Sequence, residues 1–425
     1  MKKYDSYKDS GIEWIGEIPS HWGVVRFKHH FDFINEKCDL DLPKLGLEHI
    51  ESWTGRILEN DTEFKGEGIC FQNGDILFGK LRPYLAKVFL ADFMGKAVGD
   101  FFVFRPTPDL SPAFAHKLLL SRNFIEITNS STFGSKMPRV SPDFISELKI
   151  IVPPIPEQTS IASYLDRKTF EIDELIAGKE RLLELYEDEK TAIINQAVTG
   201  KLKIGNGEWK MKDSGIEWLG EIPEHWEVKR LSWCFEIIGS GTTPKAGSDE
   251  YYLNGEFNWL LTGDLTDGEI WETSKKITQQ ALDDHTSLKE YPENSIVMAM
   301  YGATIGKLGI LKISTTVNQA CCVLGKPIHF YHLFAFYILL AARQDIINMS
   351  YGGGQPNISQ ELIKSFRVPV PPIEEQQSIV NHIEAESGRI DGKIERTQKL
   401  IALLKEYRKT LISEVVTGKV KVIEN

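Results

Sequence analysis

The sequence predicts an α+β chain: two similar mixed domains, joined by two long helices packed as an antiparallel coiled coil, with an internal pseudo-two-fold duplication. The first observation is that the sequence repeats itself. The stretch Lys8-Asp9-Ser10-Gly11-Ile12-Glu13-Trp14-Ile15-Gly16-Glu17-Ile18-Pro19, followed by His21-Trp22, returns 204 positions later as Lys212-Asp213-Ser214-Gly215-Ile216-Glu217-Trp218-Leu219-Gly220-Glu221-Ile222-Pro223 with His225-Trp226. A second echo matches Val152-Pro153-Pro154-Ile155 and Glu157-Gln158 with Val370-Pro371-Pro372-Ile373 and Glu375-Gln376 at an offset of 218, and it runs on to Thr199-Gly200-Lys201 and Thr417-Gly418-Lys419. Solenoid units are only about 20–50 residues long, so a period of this length is a duplicated domain plus connector. The second observation is that the two offsets differ by 14 residues. Insertions therefore fall between the echoes, and two diverged domains sit in one repeated frame, an arrangement suited to reading two different things.

The third observation is the periodicity of the connectors. Leu165, Ile172, Tyr186 and Ile193 lie on a seven-residue grid broken at Lys179, and Ile383, Ile390, Leu404 and Leu411 repeat it with Thr397 at the break. Each connector starts after Pro-Pro and ends at Thr-Gly-Lys, where Gly200 and Gly418 suit the position just past a helix end. A helix of ~40 residues cannot bury its own apolar stripe, so the two are expected to pack on each other.

Between the echoes the composition is mixed. Residues 24–110 alternate short apolar runs with turns, as in Asn73-Gly74-Asp75-Ile76-Leu77-Phe78-Gly79, and read as a β-rich body. Residues 112–127 and 330–348 have the length and apolar density of buried helices. Each half then closes with Pro-x-[Val/Ile]-Ser, at Pro138-Arg139-Val140-Ser141 and at Pro356-Asn357-Ile358-Ser359. Gly134-Ser135-Lys136 and Gly352-Gly353-Gly354-Gln355 stand just before, where glycine permits close backbone approach to a ligand.

The 425 residues carry a net charge of −11, so no strong electrostatic attraction to phosphates is available to the chain as a whole. Binding to nucleic acid would rest on local basic loops and specific contacts, or on a partner that supplies charge. No membrane partner is expected, because the longest apolar run, Phe330 to Ala342, is interrupted by His332 and is shorter than the ~20 residues of a span. The N-terminus has no apolar stretch of a signal peptide, and a cytoplasmic location follows as the expectation. The five cysteines, Cys38, Cys70, Cys234, Cys321 and Cys322, form no C-x-x-C pair, so neither a disulfide frame nor a metal site is expected.

Motifs that resemble catalytic signatures fail on inspection. Gly302-Ala303-Thr304-Ile305-Gly306-Lys307 is one residue short of a phosphate-cradling loop, and Leu308 stands where the hydroxyl for Mg²⁺ belongs. Gly239-Ser240-Gly241 runs into Thr242-Thr243-Pro244 and does not open a helix. Pro142-Asp143 with Glu147-Leu148-Lys149 reads as a short helix capped by Ser141 rather than a carboxylate pair for metal. His21 and His225, each beside Trp, read as packed residues at a domain entrance.

Taken together, the repeated Ser-Gly-x-Glu-Trp-x-Gly-x-Ile-Pro-x-His-Trp opener, Gly74-Asp75-Ile76-Leu77, Gly79-Lys80-Leu81-Arg82-Pro83, Tyr301-Gly302-Ala303-Thr304-Ile305-Gly306-Lys307, Asn318-Gln319-Ala320, the Gly-Gly-Gly-Gln-Pro-Asn-Ile-Ser loop and Pro-Pro-Ile-x-Glu-Gln resemble the specificity subunit of type I restriction-modification systems. The resemblance covers essentially the whole chain, twice. It implies target-recognition domains at 1–155 and 204–373, with connector helices in 156–203 and 374–425. Each domain would read one half of a bipartite site in double-stranded DNA, while the helices set the spacer and dock two DNA methyltransferase (modification) subunits. Restriction/translocase subunits would complete the assembly. The chain itself would be non-catalytic and hold no cofactor, with S-adenosylmethionine, ATP and Mg²⁺ on the partner subunits. Candidate DNA contacts are Lys80, Arg82, Lys136 and Arg139 in the first domain and Thr304, Lys307, Gln355 and Asn357 in the second, because Arg and Lys suit guanine or phosphate and Gln and Asn can pair with adenine. Two competing readings are a coiled-coil protein–protein scaffold without sequence-specific DNA binding, which a gel shift distinguishes, and an enzyme, which methyl transfer by the isolated chain would reveal.

Overall fold

The computed structural model describes residues 3–59, 67–134, 136–204, 210–350 and 357–422. Two compact units make up the chain. One is contiguous, Leu183–Arg396, whereas the other combines Met1–Leu182 with Thr397–Asn425. The two 44-residue helices, Ile155–Val198 and Ile373–Val416, each contribute to both units.

Each unit enters and leaves its domain through the same device. The opener folds as a hairpin, Tyr7–Asp9 with Glu17–Pro19 in the first unit and Met211–Asp213 with Glu221–Pro223 in the second. The strand that follows pairs with the strand that ends the domain: Gly23–Arg26 with Lys149–Val152, and Glu227–Arg230 with Arg367–Val370. Entry and exit thus lie side by side. Trp22 and Trp226 are buried, and their indole N–H groups donate to Glu157 (3.1 Å) and Glu375 (3.0 Å) at the start of a long helix. His21 and His225 contact the same carboxylates at 2.8 Å. At the opposite helix ends, Gly418 and Gly200 adopt φ of 72° and 73°, and an added Cβ would lie 2.4 Å from Pro19 and 2.3 Å from Pro223. Glycine is required there twice over, by conformation and by space.

The repeated Glu-Gln has a physical meaning too. Gln158 is fully buried, accepts from Ser111 N–H at 2.7 Å and donates to the carbonyls of Pro153 (2.8 Å) and Asp109 (3.2 Å). Gln376 repeats the pattern with Tyr331 N–H (2.8 Å), Pro371 (2.8 Å) and His329 (2.9 Å). Each amide satisfies backbone groups that would otherwise be buried unpaired.

The domain of the first unit holds a four-stranded antiparallel sheet, ordered Phe31–Ile34, Phe101–Pro106, Ile76–Gly79, Val88–Leu90, and a three-stranded one around Gly95–Ala97. Its core is aromatic: Phe27 stacks on Phe31 at 4.1 Å and meets Phe104 at 5.0 Å. The second unit has a five-stranded sheet, Phe235–Gly239, Cys321–Pro327, Ile296–Ala299, Leu308–Leu311, Gly268–Ile270, and a three-stranded one around Phe257–Leu260. Here Ile296, Met298, Leu308 and Leu324 fill the interior, packed by Phe334. Each region expected to be one buried helix is two: Pro112–Leu120 and Arg122–Ser130, then His332–Ala341 and Arg343–Asn348. In the first unit the break falls at buried Ser121, which caps the second helix by accepting from Phe124 N–H.

Within each unit the helix segments lie against each other antiparallel. In the first, Asp173 meets Arg408 and Glu180 meets Lys405; in the second, Glu189 meets Arg389 and Lys190 meets Asp391. Leu165, Ile172, Ile383, Ile390 and Leu411 are buried. Tyr186, Ile193 and Leu404 are half-buried, with Ile176 and Ile194 buried in the seam beside them.

One expectation is corrected. Cys38 and Cys70, 5.9 Å apart at Cα, are paired as a disulfide. Across a separation of 32 residues they are brought together by the backbone bridge between Lys37 and Ile69, a proximity that linear spacing does not encode. Cys234, Cys321 and Cys322 are buried free thiols, and burial pushes Cys321 and Cys322 up to about 12. No group of three or more His, Cys, Asp or Glu suited to a metal occurs among the described residues. Among them, too, no helix is long and apolar enough to cross a membrane.

Candidate nucleic-acid interface

In the first unit the candidate residues meet on two loops joined by backbone hydrogen bonds. Lys80 N–H donates to Asp100 O (2.9 Å), Val140 N–H to Lys80 O (3.1 Å) and Arg82 N–H to Pro138 O (2.8 Å). Leu81 and Phe133 both bridge to Arg139. Lys80, Arg82, Lys136 and Arg139, distant in sequence, are thereby gathered into one cluster. Arg82 and Lys136 are its exposed cations. Arg139 forks onto Asp100, Nε to Oδ1 at 3.1 Å and Nη2 to Oδ2 at 2.9 Å, and this carboxylate holds the guanidinium above its ordinary range. Lys80 Nζ lies 3.9 Å from the same carboxylate and 5.6 Å from the centre of the Phe102 ring. Asp100 therefore organises half of the cluster.

The second unit builds the same turn from different residues. Met300 N–H donates to Ala320 O (2.8 Å) and Ile358 N–H to Met300 O (2.8 Å), matching Lys80 with Asp100 and Val140. Ala299 N–H donates to Lys307 O (2.8 Å) as Gly79 N–H does to Lys87 O (2.9 Å). The correspondence places Thr304 opposite Tyr84, Lys307 opposite Lys87, and Asn357 opposite Arg139. Thr304 is half-buried, Lys307 and Asn357 are exposed, and Gln355 lies outside the described residues. The turn leads into the strand Leu308–Leu311, not a helix, so the local geometry is not that of a phosphate-cradling loop.

Backbone conformation separates the two versions. Gly302 and Gly306 adopt φ of 85° and 77°; the equivalent Arg82 and Ala86 adopt 49° and 47°. A side chain in the left-handed region costs of order 1 kcal/mol or more, and such strain concentrates at functional sites. The first domain thus holds a charged residue where glycine would be the relaxed choice.

Sequence reasoning passed over a polar set beside the second turn. Thr243 donates to the Gln319 side chain at 2.5 Å. The loop carrying Thr243 is pinned by Trp259 Nε1–H on Thr242 O (3.3 Å) and Tyr252 O–H on Pro244 O (2.7 Å). It borders a groove of about 440 Å³ that includes Lys275 and Lys276. Asn318-Gln319-Ala320, one of the motifs that carry the family resemblance, is the signal available in the sequence. The first cluster is cationic and suits phosphates and guanine edges, whereas the second is mostly neutral and suits amide pairing with base edges.

The model of the type I restriction modification DNA specificity domain matches this chain twice, at residues 19–185 and 223–405. The chain belongs to that family. Both matches span a domain and much of the helix that follows it. A curated relative from Methanocaldococcus jannaschii, the type I restriction enzyme MjaVIII specificity subunit, is 24% identical over 95% of this chain and 94% of its own length. The MjaIX specificity subunit of the same organism is 24% identical over 96% of each. Among solved structures, a chain from work on complex assembly and conformational transition of the type I R-M system superposes with a TM-score of 0.71 at 17% identity, over 95% of this chain and 99% of that one. The HsdS subunit from Thermoanaerobacter tengcongensis gives 0.57 at 17% identity, over 95% and 98%. At such identity these structures speak for the fold alone, two mixed domains with long helices.

Proposed function

We propose that this chain is the sequence-specific DNA-binding subunit of a type I restriction-modification complex, each domain reading one half of a bipartite site. The observation that carries this is the double family match, one specificity domain per structural half. Family membership favours a DNA reader over a scaffold. The helices would set the spacer and dock two modification subunits, with restriction/translocase subunits joining them. S-adenosylmethionine, ATP and Mg²⁺ would sit on those partners, and this chain would recognise without catalysing, in the cytoplasm. Candidate contacts are Arg82, Lys136, Lys80 and Arg139 for the first half-site and Thr304, Lys307, Gln355 and Asn357 for the second.

The test is to map methylated adenines in cells expressing this chain with its modification partner, then to replace residues 227–370 with the segment of a relative. One half of the methylated sequence should change and the other persist. A change in both halves, or methylation without sequence preference, would defeat the two-reader assignment.

A further inference from the structure

The cationic cluster of the first unit carries a feature that phosphate or guanine contact does not use. Phe133 and Arg139 exchange backbone hydrogen bonds at 3.1 and 3.0 Å, closing a short loop between them. Gly134 turns it at φ 95°, and a Cβ there would lie 3.1 Å from Met137 O. On this loop Phe133 is 62% exposed and Met137 50%, and Tyr84, two residues from Arg82, is 46% exposed. Single exposed apolar side chains are ordinary on protein surfaces. Here three large ones share a loop cluster with Arg82 and Lys136.

We propose that Phe133 and Met137 form an apolar wedge that enters duplex DNA at one base step of the first half-site and partly unstacks it, while Arg82 and Lys136 hold the flanking phosphates. This rests on the chain being a DNA reader. Duplex DNA fits both halves of the surface: its backbone takes the cations, and only the stacked bases offer apolar area to the two side chains. Inserted Phe, Leu, Ile and Met side chains are an established way for proteins to unstack a base step, and the cost falls at flexible pyrimidine–purine steps. The wedge thereby adds sequence preference without hydrogen-bonding a base.

The experiment uses the complex of this chain with its modification subunits and duplexes of the mapped site. 2-Aminopurine is placed at successive steps of each half-site, away from the methylated adenine. The unsubstituted complex should brighten the probe at one step of the first half-site. Phe133→Ala with Met137→Ala should abolish that brightening, weaken specific binding by about 10- to 100-fold and leave the second half-site's signals and the Tm unchanged. Phe133→Leu should restore it. Lys136→Ala should weaken binding and flatten its salt dependence while the brightening persists. Unchanged brightening and affinity in the double alanine variant would overturn the wedge and leave the reader intact. Absence of site preference in the unsubstituted complex would overturn both.

Discussion

Arg408 closes on Asp173, Nε 2.9 Å from Oδ1 and Nη2 3.3 Å from Oδ2, while its Nη1 donates to Trp53 O at 2.8 Å. The side chains are only 7% and 10% exposed. Shifted by the 218 positions of the repeat, the same pair becomes Lys190 and Asp391, 2.8 Å apart but 30% and 55% exposed. Removing one member of a buried pair strands the other charge, at a cost of ~3–5 kcal/mol, whereas an exposed pair is worth ~0–1 kcal/mol. Arg56 also contacts Asp173 at 2.6 Å, so the variant that strands a buried charge is the loss of the carboxylate: Asp173→Ala should lower the stability of the first unit by about 3 kcal/mol and Asp391→Ala that of the second by less than about 1 kcal/mol. Urea titration of both variants checks this, and equal losses would show that burial is not what sets the value.

Arg82 supports a trade between stability and binding. Glycine at this position relieves the left-handed strain, so Arg82→Gly should raise stability by about 0.5–1 kcal/mol. The same change should weaken specific DNA binding by the complex about 10-fold, at the low end of one lost Arg contact. Stability and affinity falling together would mean that Arg82 serves the fold.

His116 makes the first unit sensitive to acid. Burial, with the Lys117 charge adding to it, holds this imidazole down at about 3, although its hydrogen bond to Val88 O pulls the other way. The unfolded chain, with an ordinary value near 6.5, takes up the proton first. The contribution of neutral His116 is thus complete above ~pH 6.5 and is lost as pH falls toward 3. Between pH 7 and 5 that amounts to about 2 kcal/mol. His116→Gln keeps a donor for Val88 without a proton to gain, so its stability should vary less over this range. Identical pH slopes in the two proteins would rule the histidine out.

The spacing role of the helices has a mechanical test. Inserting four residues near Gly178 lengthens the first helix by ~6 Å and turns it by ~40°. DNA rises ~3.4 Å per base pair, so the preferred spacer should lengthen by one or two base pairs, with both half-sites unchanged and some affinity lost to repacking. Methylation mapping reads the result directly. A variant that methylates with its original spacer would leave the helices a docking role alone.

The frame was legible because duplication writes it twice and because a 44-residue amphipathic helix has a long periodic signal. Glu157-Gln158 was visible as an echo, but its work was not: one amide tying together Ser111, Asp109 and Pro153 depends on contacts up to 49 residues apart. The cations of the first domain stood out by charge, and bridges from Leu81 and Phe133 to Arg139 brought them together. Neutral Thr243 carries no comparable signal, and Gln319 only its place in Asn318-Gln319-Ala320, until the fold places the two 2.5 Å apart. The Cys38–Cys70 pairing was missed for the same reason.

Because the first unit needs residues 397–425 to be complete, synthesis meets the two domains in inverted order. Domains usually fold as they emerge, N-terminal first, at about 5–20 residues per second. Here the domain that comes second along the chain has every part it needs once residue 396 has appeared. The first must wait tens of seconds for the helix end whose Gly418 seats against Pro19 and Trp22, with that tryptophan's face uncovered meanwhile. A nascent chain stalled before residue 397 would thus display one finished reader and one unfinished one.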